Sequence, residues 1–319
     1  LVEEDKVDLA YDMIDRIDLS SMKSLQLFQI EEVVHRKQAW DTEIEILNRL
    51  LSIEIAETKR FSLKIRLFTA YGRLKNYIKA IELGKELLEV NGDEKFLDNI
   101  KTEYLLRDTL FAMISRFDIK PDLIQEAKNL LEKYEPIESS FEFKMGIKAA
   151  ILIACEELSS ALRTMVSACS NNNWLEPGRI EFLFKFALEL EKRFGFTLEP
   201  DKIIEDGNFV KLSFNNDWFL VGDGASLNAK KIAASNPLYS KLLNKKLGDM
   251  IEIKYEYSSK LDDGLVEYIF PIEKYILFRV VQEFNQLIDY SNIPGFTKIE
   301  TPIGENNIDL TYLKKFMES

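Results

Sequence analysis

The stretch Ser235–Tyr257, SNPLYSKLLNKKLGDMIEIKYEY, changes its hydrophobic period part-way along. Asn236 followed by Pro237 predicts a helix start, because asparagine caps helix N-termini and proline is tolerated at the first helical position. Gly248 predicts the end of that helix. From Met250 to Tyr257 apolar and charged residues alternate, which is typical of a half-buried β-strand. The stretch therefore predicts a short helix followed by a strand.

Two runs before this stretch predict a β-hairpin. Residues Phe209–Phe214 (FVKLSF) alternate in polarity, and Trp218–Gly224 (WFLVGDG) form a second run that ends at glycines. The NND triplet between the two runs is typical of a turn. Gly222 and Gly224 predict a tight turn rather than a phosphate-binding loop, because no lysine or helix start follows them.

The residues after the stretch predict the closing strand of a small sheet. LDDG (Leu261–Gly264) is typical of a turn, and LVEYIFPI (Leu265–Ile272) predicts a returning strand. The next run is ambiguous, and its pattern favours a helix from Val281. Residues 205–290 therefore predict an α+β domain in which one helix packs on a small antiparallel sheet. Residues 291–319 are interpreted as a C-terminal extension or linker.

The first part of the chain, residues 1–200, carries helical periodicity almost throughout, and its prolines lie at breaks in the pattern. Within it, an isoleucine followed six and seven residues later by a Leu-Leu pair recurs, beginning at Ile44, Ile81 and Ile124. The intervals are close to the ~34-residue helix-turn-helix repeat of tetratricopeptide (TPR) proteins.

The second copy of this phrase belongs to a longer pattern. LFTAYGRLKNYIKAIELGKELL (Leu67–Leu88) resembles the TPR consensus, with Tyr71 at a large position and Ala80 at a small one. Phe68 departs from the consensus, since a small residue is usual there. The resemblance implies a mainly α fold for residues 1–200, an irregular TPR-like array of stacked helix pairs. Unrelated helical hairpins are the alternative.

The composition is that of an acidic globular protein. The chain has 319 residues, of which 46% are hydrophobic and 30% charged, and a formal net charge of −12. This balance argues against direct nucleic-acid binding, which needs basic side chains at phosphates. No apolar run approaches the ~18–20 residues of a membrane span and no signal peptide opens the chain, so we expect a cytoplasmic protein. The missing initiator methionine indicates a processed form or an excised fragment.

Residues able to carry catalysis or to hold a metal are scarce. Cys155 and Cys169 are the only cysteines, and we expect both to be buried thiols in a reducing compartment. His35 is the only histidine, and VVHRKQAW predicts a solvated helix face for it. The acidic pairs Glu205–Asp206 and Asp262–Asp263 are typical of turns or caps. We therefore expect no enzyme activity, no cofactor and no metal site.

The segment around the predicted helix is basic, although the chain is acidic. Between Gly224 and Gly248 there is no aspartate or glutamate, but there are five lysines. A solvated lysine face would explain this pattern, and so would docking on an acidic protein surface, where such a field raises the association rate and fixes the orientation. The candidate partner-binding residues are Ser235, Asn236, Pro237, Lys230, Lys231, Lys241, Lys245 and Lys246.

The order of these elements resembles the C-terminal domain of the bacterial Gre transcript cleavage factors. In that family an aromatic-rich strand ends in Val-Gly, and a Ser-Pro helix, a Gly-Lys pair, a Gly-Asp pair and an alternating strand follow it. The corresponding positions here are Val221-Gly222, Asn236-Pro237, Asn244-Lys245 and Gly248-Asp249. The resemblance covers about residues 205–285, and asparagines replace the serine of the Ser-Pro pair and the glycine of the Gly-Lys pair.

The resemblance implies an FKBP-like fold and docking on RNA polymerase at the rim of its secondary channel, with the Ser-Pro segment at the contact. Gre factors also carry an N-terminal coiled coil whose acidic tip holds catalytic magnesium. Residues 1–200 do not match that coiled coil, so transcript cleavage is not implied. A helical array followed by a Gre-like domain also resembles bacterial conflict or defence proteins that continue into a PIN nuclease, which here would lie beyond Ser319.

Three functional hypotheses remain. The first is a non-enzymatic adaptor that binds bacterial RNA polymerase through the Gre-like domain and another protein through the helical array, with a role in transcription regulation or in a defence system. The second is a TPR-type peptide-binding scaffold without polymerase binding. The third is a peptidyl-prolyl isomerase, which an FKBP-like fold suggests but does not establish. The sequence leaves the oligomeric state open.

Overall fold

Amphipathic helices build the first part of the fold. A computed structural model of the chain describes residues 4–14, 18–53, 56–94, 97–135, 139–170, 173–214, 216–254 and 261–287. Its first seven helices are α1 (Glu4–Ile14), α2 (Ser24–Lys37), α3 (Trp40–Ser52), α4 (Glu57–Arg73), α5 (Tyr77–Glu94), α6 (Asn99–Ile114) and α7 (Asp122–Tyr134), with a 3₁₀ turn at Leu19–Ser21.

The three copies of the Ile…Leu-Leu motif lie on alternate helices. They lie on α3, α5 and α7, and each contributes a buried leucine from its Leu-Leu pair: Leu50, Leu88 and Leu131. Each of these helices packs against the helix before it, which gives the pairs α2–α3, α4–α5 and α6–α7. The predicted mainly α fold with stacked helix pairs is confirmed.

Three neighbouring helices approach closely at one glycine. A Cβ atom added to Gly84 on α5 would overlap the Thr109 side chain of α6 and lie 3.0 Å from the ring of Phe68 on α4. Thr109 and Phe68 are both buried. The large Phe68 side chain, where the TPR pattern favours a small residue, therefore fits because the next helix has no side chain opposite it.

A second group of helices follows. These are α8 (Phe141–Phe143), a π-helical turn at Lys144–Lys148, α9 (Ala149–Ala154), α10 (Leu158–Ala168) and α11 (Pro177–Phe194). Pro177 occupies the first turn of α11 and Gly195 ends it in the left-handed conformation, as helix-boundary chemistry predicts. Among the described helices, none is both long and apolar enough to cross a membrane.

A five-stranded sheet with two helices completes the fold. The elements are β1 (Phe209–Leu212), β2 (Trp218–Val221), β3 (Lys230–Ile232), α12 (Pro237–Leu242), β4 (Met250–Lys254), β5 (Leu261–Phe270) and α13 (Ile272–Leu287). The strand order is β3-β2-β1-β5-β4. The pairs β1–β2, β1–β5 and β4–β5 are antiparallel, whereas β2–β3 is parallel.

Three sequence-based predictions for this region are wrong in detail. The sheet is mixed and not antiparallel throughout, because the short β3 pairs in parallel with β2. LDDG is not a turn, since Leu261–Gly264 pair with Ile251–Lys254 as the start of β5. The ambiguous run after β5 is helical from Ile272, well before Val281. Tyr255 and Tyr257 of the predicted strand lie outside the described residues.

Both faces of the sheet are buried at its three central strands, β2, β1 and β5. On one face Phe209 and Trp218 pack against α13, where the ring of Phe209 stacks on Tyr275 with centroids 4.0 Å apart. On the other face Val210 and Phe219 form a second core with Leu242 of α12. Because side chains alternate along a strand, neighbouring residues of β1 and β2 supply the two separate cores.

The helices from residue 141 onwards share a core with the sheet. Phe184 of α11 stacks on Phe284 of α13, with ring centroids 3.9 Å apart. The chain consequently divides into two compact units, Leu1–Ser139 and Ser140–Ser319. This division differs from the predicted module boundary near residue 200, because helices after residue 140 share a core with α13 and the sheet.

We predict that Gly84→Ala destabilises the first unit. The added methyl group would overlap Thr109 and crowd Phe68, and overpacking of this kind costs about 1–3 kcal/mol of unfolding free energy. The measurement is urea denaturation followed by helical circular dichroism.

Gly72→Ala on α4 is the matched control, because no atom lies within 4 Å of a Cβ at that position. It should be neutral or stabilise by up to ~1 kcal/mol through helix propensity. Equal effects of the two substitutions would contradict the close approach at Gly84.

Candidate protein-docking site

The helix α12 begins as the sequence predicts. The side-chain oxygen of Asn236 accepts a hydrogen bond from the Leu238 N–H at 2.9 Å, and Pro237 occupies the first helical position. Ser235, Asn236 and Pro237 are all exposed, whereas Leu242 is fully buried and fastens the helix to the sheet. The cap therefore presents the Ser-Asn-Pro corner to solvent.

The helix ends at Leu242, so the predicted end at Gly248 is wrong. The chain turns at Asn244, which adopts φ 67°, and then pairs with the segment before β1. The Asn244 N–H donates to the Ile204 carbonyl at 2.9 Å, and the Ile204 N–H donates to the Lys245 carbonyl at 2.8 Å. These backbone bonds replace the helical ones, and Gly248, with φ 86°, makes a second turn into β4.

Two loops meet beside α12: Gly222–Gly224, which follows β2, and Glu205–Asp206, which precedes β1. The Tyr239 hydroxyl donates to Asp206 Oδ1 at 2.9 Å, and this hydrogen bond raises the pKa of Tyr239. Gly222, with φ 99°, lies against the same carboxylate and has no room for a Cβ atom. The turn predicted at Glu205–Asp206 is confirmed by the hydrogen bond from the Asn208 N–H to the Glu205 carbonyl, whereas at the described residues Gly222–Gly224 the chain bends without a turn hydrogen bond.

The structure divides the five candidate lysines between the two edges of the sheet. Lys230 and Lys231 lie on the edge strand β3 and pair with Asp217 and Asp223, respectively. Lys241 donates to the backbone carbonyl of Glu252 on the other edge strand, β4, at 3.2 Å. Four strand spacings of ~4.8 Å separate the two edges.

The other three lysines lie near the β4 edge, and no ion pair among the described residues balances their positive charges. Among the described residues, no carboxylate pairs with Lys241, Lys245 or Lys246, and Lys241 and Lys246 are exposed. Together with the Ser235–Pro237 corner they form a continuous segment around α12, which we call the α12 surface. Lys230 and Lys231 are outside it, and their aspartate partners neutralise them.

The two cysteines differ in their surroundings. Cys169 is fully buried, and burial raises the pKa of its thiol to about 12, so it is an unreactive packing group. Cys155 is only partly buried, and the expectation that both thiols are buried is therefore half wrong.

A buried ionic cluster in the first unit was not predicted. Glu31 on α2 and Glu43 on α3 are 1% and 0% exposed, and Arg66 of α4 pairs with both carboxylates. His35 is not simply solvated, because its Nδ1 lies 2.9 Å from Glu43 Oε1. Burial, opposed by Arg66 and reinforced by Glu43, raises the pKa of Glu31 to about 7.

The first unit also has a groove between α4, α5 and α6. Its volume is about 340 Å³, and its lining includes Phe68, Arg73, Tyr77, Arg107 and Phe111. Phe111 is 55% exposed, so a large apolar ring faces solvent at this groove. The groove thus combines aromatic rings with arginines.

Comparisons with known proteins give little guidance. No protein-family model matches the sequence, and no curated protein matches it. Two solved structures of the nearly identical TPR-like repeats of a Podosopora anserina kinesin light chain are similar to it at 14% identity. They cover 53% of this chain and 88% and 87% of their own length, with TM-scores of 0.39 and 0.38.

We predict that Glu31 makes the stability of the first unit depend on pH. Its pKa is higher in the folded chain than in the unfolded chain, so the folded state holds more protons between about pH 4.5 and 7. Stability should fall as pH rises through this window, by at most ~1.4 kcal/mol per pH unit, and level off above it. Urea denaturation in EDTA at several pH values measures the effect.

Glu31→Gln cannot ionise and should remove this component of the slope. Glu32→Gln, at the exposed neighbouring position that pairs with Arg36, is the control and should leave the slope unchanged. A slope that is the same in Glu31→Gln and in the unmodified chain would contradict the assignment to Glu31.

Proposed function

We propose that the chain is a non-enzymatic interaction protein that docks on bacterial RNA polymerase through the α12 surface. One observation carries the proposal. In the Gre pattern the two glycines after the Ser-Pro helix fall at positions 244 and 248, and both positions have positive φ here, 67° at Asn244 and 86° at Gly248. Glycine favours this conformation, and asparagine is among the few other residues that tolerate it.

This agreement supports the alignment of residues 236–249 with the Gre pattern. Positive φ is uncommon outside glycine, so this conformation at Asn244, where the pattern has a glycine, is consistent with the alignment. The substitution of asparagine for glycine at position 244 then preserves the backbone path after α12. The capped Asn236-Pro237 start likewise reproduces the role of the Ser-Pro pair, since both serine and asparagine cap helices.

Electrostatics gives the α12 surface a means of docking. Its three uncompensated lysines belong to a chain of net charge −12, so their positive field is local. A local field of this kind raises the rate of association with an acidic protein surface and fixes its orientation. An isomerase role is not part of the proposal, because Trp218 and Phe270 are buried against Phe278.

We predict that the double variant Lys241→Glu/Lys245→Glu weakens binding to purified bacterial RNA polymerase by roughly tenfold or more at low salt, since rim charges act through the association rate. Biolayer interferometry measures the association and dissociation rates. The loss should appear mainly in the association rate and diminish as salt is added.

Lys185→Glu/Lys192→Glu on α11 is the control for this prediction. It changes the net charge by the same amount, and both lysines are exposed on the helix surface. Binding that is unchanged by the α12 variant, or reduced equally by the control, would contradict docking through the α12 surface.

A second candidate function is a peptide-binding scaffold, and the groove at Phe111 favours it. An exposed ring beside Arg73, with Arg107 already paired to Asp108 of the same groove, suits a peptide that carries apolar side chains and an acidic group.

If the chain is such a scaffold, Phe111→Ser should abolish binding of a purified peptide partner. The variant Lys241→Glu/Lys245→Glu should bind the same partner as the unmodified chain does. Ile119→Ser, which removes a similarly exposed side chain away from the groove, is the control. Retained capture by Phe111→Ser would exclude the scaffold role for this groove.

A further inference from the structure

The ionic cluster of the first unit brings three metal-binding side chains together. Glu31 and His35 lie one turn apart on α2, and therefore share a face of that helix. Glu43 projects from α3 to meet them, and one ligand atom from each of the three residues lies within 4.8 Å of the others. The set offers one imidazole nitrogen and two carboxylates.

The cluster is incompletely compensated within the described residues. Two buried carboxyl groups face one guanidinium, that of Arg66, which pairs with Glu31 and lies 3.8 Å from Glu43 Oε1. They also face the imidazole of His35, which contacts Glu43 Oε1. Glu43 Oε2 is buried and has no hydrogen-bond partner among these residues. A buried carboxylate oxygen without a partner is costly, and a cation is one group that would satisfy it.

We propose that Glu31, His35 and Glu43 form a binding site for a divalent transition-metal ion, with Zn²⁺ as the best fit. Zn²⁺ accepts imidazole nitrogen together with carboxylate oxygen and tolerates three protein ligands plus one water. Ca²⁺ and Mg²⁺ prefer all-oxygen sets, so the imidazole disfavours them. His35, whose side chain is 44% exposed, gives the ion access from solvent.

Arg66 competes with the ion for the same carboxylates. Its side chain is 34% exposed, so the guanidinium can move into water when the ion binds. The ion then supplies two positive charges where Arg66 supplied one, which compensates both carboxylates.

The consequence of binding is a cross-link between two neighbouring helices. Two ligands come from α2 and one from α3, so the ion clamps these helices together. The adjacent Trp40, whose ring lies 5.7 Å from that of His35 in an edge-to-face contact, reports on the site.

The test uses the tag-free full chain, stripped with EDTA and titrated with Zn²⁺. Because His35 is the only histidine, a chain labelled with ¹³C-histidine has one imidazole Cε1–Hε1 NMR signal, which requires no assignment. We expect this signal to shift and to saturate at one equivalent of Zn²⁺. A signal that does not move with excess Zn²⁺ overturns the proposal.

Two carboxamide variants test the oxygen ligands. Glu31→Gln and Glu43→Gln keep the side-chain shape, and each should weaken Zn²⁺ affinity by roughly tenfold or more. Glu32→Gln, one position from Glu31 and exposed, should bind as the unmodified chain does. Unchanged affinity in both carboxamide variants overturns the proposal, and circular dichroism verifies that each variant is folded.

Two further variants distinguish the metal site from a purely structural ionic cluster and from Zn²⁺ binding at a cysteine. Arg66→Gln removes the competing cation and should bind Zn²⁺ more tightly, whereas a purely structural cluster gives no gain. Cys155→Ser removes the partly exposed thiol and should leave the histidine shift intact. A shift that disappears with Cys155→Ser, or an Arg66→Gln variant that binds no better, overturns the proposal.

Discussion

Burial of both faces of the three central strands, β2, β1 and β5, is the constraint on which the second unit depends. One face needs α13 and, behind it, the helices from residue 141 to 194, while the other needs α12. A strand buried on both sides cannot present one face to water, so the helices on either side are obligatory partners. This is why the compact unit begins at Ser140 and includes helices that, by pattern alone, continue the preceding array.

The same constraint holds the α12 surface in place. Leu242 anchors α12 in the second core, and the backbone bonds between the Asn244–Lys245 turn and Ile204 hold the chain on its way to β4. The framework fixes the backbone positions from which the exposed lysines project, which limits how a partner can be oriented on them. The first unit has its own constraint at Gly84, where three helices meet and a side chain would not fit.

Sequence patterns predicted the features that depend on local chemistry. The Asn236-Pro237 cap, the helical repeats and the strands β1 and β2 follow from neighbouring residues alone. The parallel strand β3 was missed because three residues carry no measurable alternation, and the end of α12 was misplaced because it depends on pairing with Ile204, which is distant in the sequence. The cluster around His35 combines residues of three helices, so no spacing rule connects Glu43 or Arg66 to it.

We propose that the chain binds bacterial RNA polymerase through the α12 surface. Hydrogen–deuterium exchange of the full chain, alone and mixed with purified polymerase, tests it most directly because it locates the contact without any substitution. If the chain docks through the α12 surface, polymerase should slow the exchange of backbone amides between Ser235 and Asp249 and leave the exchange rates in α4–α6 unchanged. Protection confined to α4–α6, or no protection at all, would contradict it.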